Sequence, residues 1–141
     1  MATVYKTSAS DVLPEHLSGF FVGWPHPPSA ATHLELLRRS DEVILAVEDE
    51  TAQVVGFVTA ITDGVLSAFI PLLEVLPAHQ GRGIGGELMR RMLDRLRRFY
   101  MVDLSCDAPL QPFYERLGMR PAQGMALRRA DRLTDDEAAV P

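Results

Sequence analysis

Residues 3–8, "TVYKTS", alternate β-forming and polar positions, which predicts an edge strand. In "SASDVLPEHLSGFFVG", Leu13, Leu17 and Phe20 recur at helical spacing behind Ser10 or Asp11 as a cap, so a first helix is expected there. The proline-rich "GWPHPPSAA" reads as a loop, and "ATHLELLRRS", with Leu34 and Leu37, as a second helix. "EVILAVED" and "AQVVGFVTAITD" read as strands joined by a hairpin at "EDETAQ". A third strand, "GVLSAFIPLLEVLP", follows the turn at Asp63-Gly64, and Pro71 inside it predicts an edge position or a bulge. Ile84, Leu88, Met92 and Leu96 lie four apart, which predicts a long helix from Ile84 to about Phe99. "YMVDLSC" is a short strand, "PLQPFYERLGM" a short helix ended by Gly118, and "GMALRR" a last strand before a polar tail with at most one helical turn.

The element order is therefore β-α-α-β-β-β-α-β-α-β. It predicts an α/β (α+β) fold with a mixed sheet: antiparallel N-terminal strands, a parallel crossover around the long helix, and flanking helices. The 141 residues are expected to form a single domain, with a core over about 3–129 and a tail over 130–141. Apolar residues make up 47% and charged residues 23%, the balance of a globular chain in water. The net charge of −5 argues against a polyanion-binding molecule, so no nucleic-acid partner is expected. No run approaches the roughly 20 apolar residues of a membrane span, and "MATVYKTSAS" has no apolar run of a secretory signal. The single cysteine, Cys106, excludes an internal disulfide and a cysteine zinc cluster. A cytoplasmic protein without a metal is the expectation.

The candidate chemistry sits in "VLPAHQGRGIGGEL". Gly81, Gly83 and Gly86 spell G-x-G-x-x-G, the dinucleotide fingerprint, and Asp107 lies where that fingerprint wants a downstream acid. The context does not suit it. Pro77 to Gln80 separate the strand from Gly81, the upstream strands form a meander, and too little chain follows Asp107 for a dinucleotide fold. The Gly-Lys-Ser/Thr of a Walker loop is absent, and the chain is too short for a kinase. The same stretch also spells Gln80-x-x-Gly83-x-Gly85.

With Leu73-Glu74-Val75, Pro77 and the following helix, that second spelling resembles the pyrophosphate motif of the GNAT N-acetyltransferase superfamily. "DLSCDAPLQPFYERLGM" resembles the family's later motif, in which a strand leads to a helix carrying Phe-Tyr-Glu-x-x-Gly-Phe, here Phe113 to Met119. The two motifs stand in the family's order and spacing, and with the element order the resemblance spans about Thr3 to Arg129.

The resemblance implies an acyl-CoA-dependent N-acyltransferase that moves acetyl from acetyl-CoA to a primary amine by direct attack. The acceptor would be a small molecule or a peptide amine, and family members often form homodimers. The loop Gln80, Gly81, Arg82, Gly83, Ile84, Gly85 and Gly86 would hold the pyrophosphate through backbone N–H groups and the helix dipole. The backbone of Leu73, Glu74 and Val75 would pair with pantetheine, and a bulge in that strand would open the cleft. Tyr114 would protonate the leaving thiolate. Asp107 falls where many relatives place an asparagine that helps hold the cofactor, and a carboxylate cannot donate as that amide does. Trp24 and His26 lie in the loop that borders the acceptor site in this fold. The family's usual carboxylate base has no counterpart, because the aligned positions are Phe69 and Pro71. Glu74, His26, His33, His79, Asp63 and a water chain all remain open for that role. Cys106 lacks a partner that would lower its pKa, so an acyl-cysteine intermediate is not expected. The arginines of the long helix are expected on a solvated face, with Glu87–Arg91 and Asp94–Arg98 as pairs. The alternatives are a GNAT-like module that binds coenzyme A or a metabolite without turnover, and an interaction protein using the arginine-rich face.

Overall fold

Six strands form one mixed sheet in the computed structural model, which describes residues 2–132. β1 (Thr3–Lys6) pairs antiparallel with β2 (Glu42–Glu48), and β2 pairs antiparallel with β3 (Val54–Thr62). β3 then pairs antiparallel with two short strands: β4 (Ser67–Phe69) through Ile61 and Thr62, and β5 (Leu73–Val75) through Gly56 to Val58. β6 (Met101–Asp103) lies parallel to β4. Helices α1 (Ala30–Arg39) and α2 (Ile84–Arg95) pack on opposite faces, and α3 (Gln111–Glu115) follows β6. This is the mixed α/β sheet that the element order predicts, with its antiparallel start and its parallel pair.

Three elements differ from expectation. The first predicted helix is only a 3-10 turn, Pro14–Leu17. Pro14 pushes Leu13 into extended backbone (φ −107°, ψ 156°), and Gly19 (φ 95°) and Phe21 (φ 62°) turn left-handed, so no α-helix can propagate. The single predicted strand over "GVLSAFIPLLEVLP" is broken into β4 and β5 around Pro71, which has no N–H for a ladder. "GMALRR" is not a strand. Residues 120–129 have no regular structure, and Met125 and Leu127 stand exposed, because alternation without a neighbouring strand satisfies no backbone group. The polar tail beyond residue 132 lies outside the described residues.

β2 and β3 are buried on both faces, which is why they read as apolar runs. On one side Ile44, Ala46, Val58 and Ala60 meet Leu88, Met89, Met92 and Leu96 of α2 and the turn after it. On the other, Val43, Leu45 and Phe57 meet Leu34 and Leu37 of α1 and Val12, Leu17 and Phe21 of the preceding segment. Each of these side chains larger than alanine contributes about 1.5–3 kcal/mol by leaving water. Gly56 lets α2 approach β3: a Cβ there would lie 3.1 Å from Leu88 Cδ1, 3.3 Å from Ile84 Cγ2 and 3.3 Å from the Glu74 carbonyl oxygen.

His33 is the polar member of the second layer. It is 1% exposed, its ring packs at 4.6 to 5.3 Å from those of Phe57, Phe21 and Phe20, and its Nε2 has no hydrogen-bond partner. Burial pushes its pKa down to about 4, so the neutral ring is the folded form.

Two outcomes follow. Gly56→Ala should lower stability by about 1–3 kcal/mol through overpacking, read as a lower urea midpoint at unchanged m-value. Between pH 6.5 and 4 the unfolded chain binds a proton at His33 that the folded chain refuses. Stability from this residue is therefore complete above pH 6.5 and lost as pH falls toward 4, with a ceiling of about 3 kcal/mol. Urea midpoints of wild type and His33→Leu, compared from pH 7 to 4.5, should show a shallower slope in the variant.

Candidate active site

The glycine loop caps α2. Gly83 is the N-cap at φ 82°, and Gly81 has φ 78°, a conformation that a side chain would strain. The space in front of both is open, since an ideal Cβ would meet nothing within 4 Å. The first bond of α2 runs from Glu87 N–H to Gly83 O at 3.0 Å. The N–H groups of Ile84, Gly85 and Gly86 therefore have no intrahelical acceptor, and they sit at the positive end of the helix dipole. This open, small-residue surface with free donors fits a phosphate-bearing group.

Two side chains hold the loop from behind. Gln80 Nε2 donates to the Val75 carbonyl at 3.0 Å. His79 Nε2 lies 2.8 Å from Glu48 Oε1, tying the 3-10 turn Pro77–His79 to the end of β2. That contact holds the Glu48 carboxyl below the usual range, and it leaves the His79 side chain only 18% exposed. Arg82 is exposed, and the Arg90 guanidinium, 3.4 Å from Glu87 Oε1, lies across Gly86, whose Cβ would come within 3.3 Å of it. The remaining arginines of this helix are largely engaged. Arg91 pairs with Glu87 at 2.8 Å and covers the Tyr5 ring, Arg95 pairs with Glu42, and Arg97 takes Asp94 at 3.0 Å. Arg98, expected on Asp94, lies over Phe99 instead.

The break at Pro71 shapes the strand beside this loop. Thr59 N–H donates to Leu72 O and Leu76 N–H to Val55 O, at 3.1 and 2.8 Å. The alternation of an antiparallel ladder then turns the backbone groups of Glu74 toward β3, and those of Leu73 and Val75 toward the open side. β6 pairs with β4 but not with β5, so past Pro71 the sheet splays and, among the described residues, that side of β5 is an unpaired edge. The Leu73 N–H and C=O and the Val75 N–H are the groups left there, since the Val75 carbonyl already accepts from Gln80.

α3 closes the other wall. A Cβ on Gly85 would lie 3.7 Å from Val75 Cγ2 and 3.8 Å from Phe113 Cζ. The glycine loop, the β5 edge and the Phe113-Tyr114 pair thus meet, although about thirty residues separate the two motifs. Tyr114 is half-buried, edge-on to Phe113 at 4.9 Å. Burial first, and the nearby Cys106 second, raise its pKa, so the phenol keeps its proton. Cys106 is half-buried and unpaired. Asp107 is exposed at the start of the 3-10 turn Ala108–Leu110. A groove of about 1150 Å³ along the outer edge of β6 takes Cys106 and Tyr114 into its wall, but not the glycine loop.

The segment after the first 3-10 turn faces β5 from the opposite side of the sheet. Phe21 is buried against Phe57, His33 and Trp24, at a left-handed φ of 62° that costs a non-glycine residue about 1–2 kcal/mol. Its N–H donates to Glu74 Oε1 at 2.9 Å, and the Val22 N–H to Glu74 Oε2 at 3.3 Å. Trp24 is 39% exposed, and His26 is exposed. The open candidates for a base are scattered. His33 is buried, His79 is bonded to Glu48, and Asp63 Oδ1 accepts three backbone N–H groups of a turn, from Val65, Leu66 and Ser67. Sequence reasoning missed Gly56 and the Glu74–Phe21 contact. An isolated glycine inside an apolar strand signals the first; the glycines that flank "FFV" are the only trace of the second.

With that geometry in place, the comparisons with known proteins converge. The chain matches the acetyltransferase (GNAT) family over residues 9–119. It belongs to the GNAT acetyltransferase family, whose members transfer acyl groups, generally from acetyl-CoA to amines. The crystal structure of an inferred acetyltransferase from Deinococcus radiodurans R1 is 47% identical and superposes with a TM-score of 0.90, covering 99% of this chain and 94% of that one. A GNAT family protein of Streptococcus pneumoniae TIGR4 is 26% identical over 91% of this chain and 98% of its own, at a TM-score of 0.73. An aminoglycoside acetyltransferase from an uncultured soil metagenomic sample is 22% identical over 92% and 99% of the two chains, at 0.64, and shares the fold. No curated protein matches. No helix among the described residues is long and apolar enough to cross a membrane, and none of their His, Cys, Asp and Glu side chains form a group that would hold a metal ion.

Proposed function

We propose that this chain is an N-acetyltransferase that uses acetyl-CoA and acetylates a primary amine, on a small molecule or a peptide, by direct attack. The observation that carries the reading is the meeting of the open glycine loop, the β5 edge and Phe113 around Gly85, with Tyr114 edge-on to Phe113 beside them. Acetyl-CoA brings an acyl group activated as a thioester. The N–H groups of Gly81 to Gly86 would hold its pyrophosphate, with Arg82 or Arg90 at the loop's rim for further phosphate charge. The outward groups of Leu73 and Val75 supply strand-like hydrogen bonds, and the Leu73 N–H is a donor available to a developing oxyanion. Tyr114 Oη holds a proton for the departing sulfur. A thiol has a reference pKa of roughly 8.5 and a phenol about 10, and burial raises the phenol further, so Tyr114 is the protonated partner at neutral pH. Trp24 and His26 would border the acceptor. A module that binds coenzyme A without turnover is the competing reading, favoured by the absence of an ionisable side chain at Phe69 and Pro71. Release of free thiol across a panel of polyamines, amino sugars, amino acids and peptides with free N-termini separates the two.

Gly83→Val puts a branched side chain at a left-handed position in the cradle. It should weaken acetyl-CoA binding more than tenfold, over about 1.4 kcal/mol, measured by calorimetry on protein shown to be folded by circular dichroism. Unchanged affinity would remove the loop assignment. Tyr114→Phe keeps the ring and deletes one hydroxyl. Single-turnover acetylation should slow roughly 10²–10⁴-fold, and the loss of rate at high pH should disappear with the titrating phenol. A folded variant with the wild-type single-turnover rate would leave Tyr114 a packing residue.

A further inference from the structure

Glu74 sits on the strand that carries the unpaired edge, yet its side chain leaves by the other face. There it makes a two-point contact with the segment that bears Trp24. Each carboxylate oxygen takes one backbone N–H: Oε1 from Phe21 at 2.9 Å and Oε2 from Val22 at 3.3 Å, across more than fifty residues of sequence. Consecutive N–H groups at a left-handed residue form a concavity that suits an anion. Phe21 is such a residue, with φ 62° and no glycine to make it easy. The carboxylate therefore answers a backbone shape that is otherwise unfavourable. The Phe21 ring is locked at the same point, buried against Phe57, which is the register partner of Glu74 on β3. Trp24 hangs from the locked turn, with its N–H on Phe21 O at 3.2 Å and its ring 4.9 Å from that of Phe21.

We infer that Glu74 is a positioning residue: its carboxylate clamps the Phe21-Val22 turn, and so sets the place of Trp24 on the acceptor side from the strand that holds the acyl donor. The functional half of this statement rests on the proposed acetyl-CoA reading; the clamp itself does not. A coupling follows. Ordering β5 by pairing along its free edge steadies the clamp, and the clamp steadies the acceptor loop. Both oxygens are needed. A glutamine retains one acceptor but turns an NH₂ group toward the second N–H, and an alanine retains neither.

Trp24 is the chain's one tryptophan, so its fluorescence reads the loop directly. Acrylamide quenching should increase in the order wild type, Glu74→Gln, Glu74→Ala. In the alanine variant the quenching constant should rise roughly twofold, as the indole goes from 39% exposure toward full exposure. Far-UV circular dichroism and the near-complete burial of the core, checked by ANS, establish that the variants are folded. If Glu74→Ala is folded and its quenching equals that of wild type, the clamp is refuted. If Glu74→Gln is quenched as wild type is, the two-oxygen geometry is refuted. Acetyl-CoA added to wild type should lower the quenching constant, and in Glu74→Ala that response should vanish; an equal response in both overturns the coupling. Calorimetry on the wild type keeps the two readings apart, because absence of acetyl-CoA binding removes the proposed function while the ligand-free quenching series still decides the clamp.

Discussion

A proline that cannot donate a hydrogen bond sets the arrangement of this protein. Pro71 interrupts what would be one continuous strand, and the two pieces take different partners. β4 lies between β3 and β6 and closes the sheet. β5 stays with β3 alone and leaves its other edge without a strand. An unpaired edge is normally a liability, because it invites any extended chain to pair. Here the edge lies inside a cleft walled by a glycine loop and by α3, which restricts what can reach it. The same backbone groups that would make the edge prone to aggregation become a set of oriented donors and acceptors.

The cleft also needs the long helix close to the sheet, and glycines make room where the distances are shortest. Gly56 lets Leu88 and Ile84 descend onto β3, and Gly85 fits between Val75 and Phe113. The helix N-terminus is thereby fixed beside β5, with its unpaired N–H groups and dipole at the open glycine loop. Local charge at this end differs from the acidic balance of the whole chain. The arginines of α2 and of the turn after it are tied to Glu42, Glu87 and Asp94 or lie over aromatic rings, and Arg90, itself on Glu87, stands with Arg82 nearest the glycines.

The opposite face of the sheet is held by packing of rings. Phe20, Phe21, Phe57 and His33 form one cluster, and a neutral imidazole there behaves as another flat side chain. Glu74 brings a carboxylate hydrogen-bonded to the backbone of that segment into contact with the cluster's edge. The two faces are thus not independent: β5 presents backbone to one side of the cleft and a side chain to the other.

What the sequence determined by itself was whatever depends on local spacing. The four-residue recurrence of Ile84, Leu88, Met92 and Leu96 marked α2 and its buried face, and runs of β-branched residues marked β2 and β3. Pro71 marked an irregularity, an edge or a bulge, though not the division into two strands; the glycine and Phe-Tyr-Glu motifs marked the family, because close backbone approach to a ligand restricts residue choice strongly enough to be read. Tertiary structure decided the rest. "DVLPEHLSGFF" has helical spacing but folds as a turn, since a proline and left-handed residues override periodicity. "GMALRR" alternates like a strand yet stays irregular, since a strand exists only when another offers hydrogen bonds. The direction of Glu74's side chain, the burial of His79 on Glu48 and the contact of Gly85 with Phe113 join residues about thirty to fifty apart. Such pairs leave no periodic trace along the chain, because only the folded sheet brings them within bonding distance.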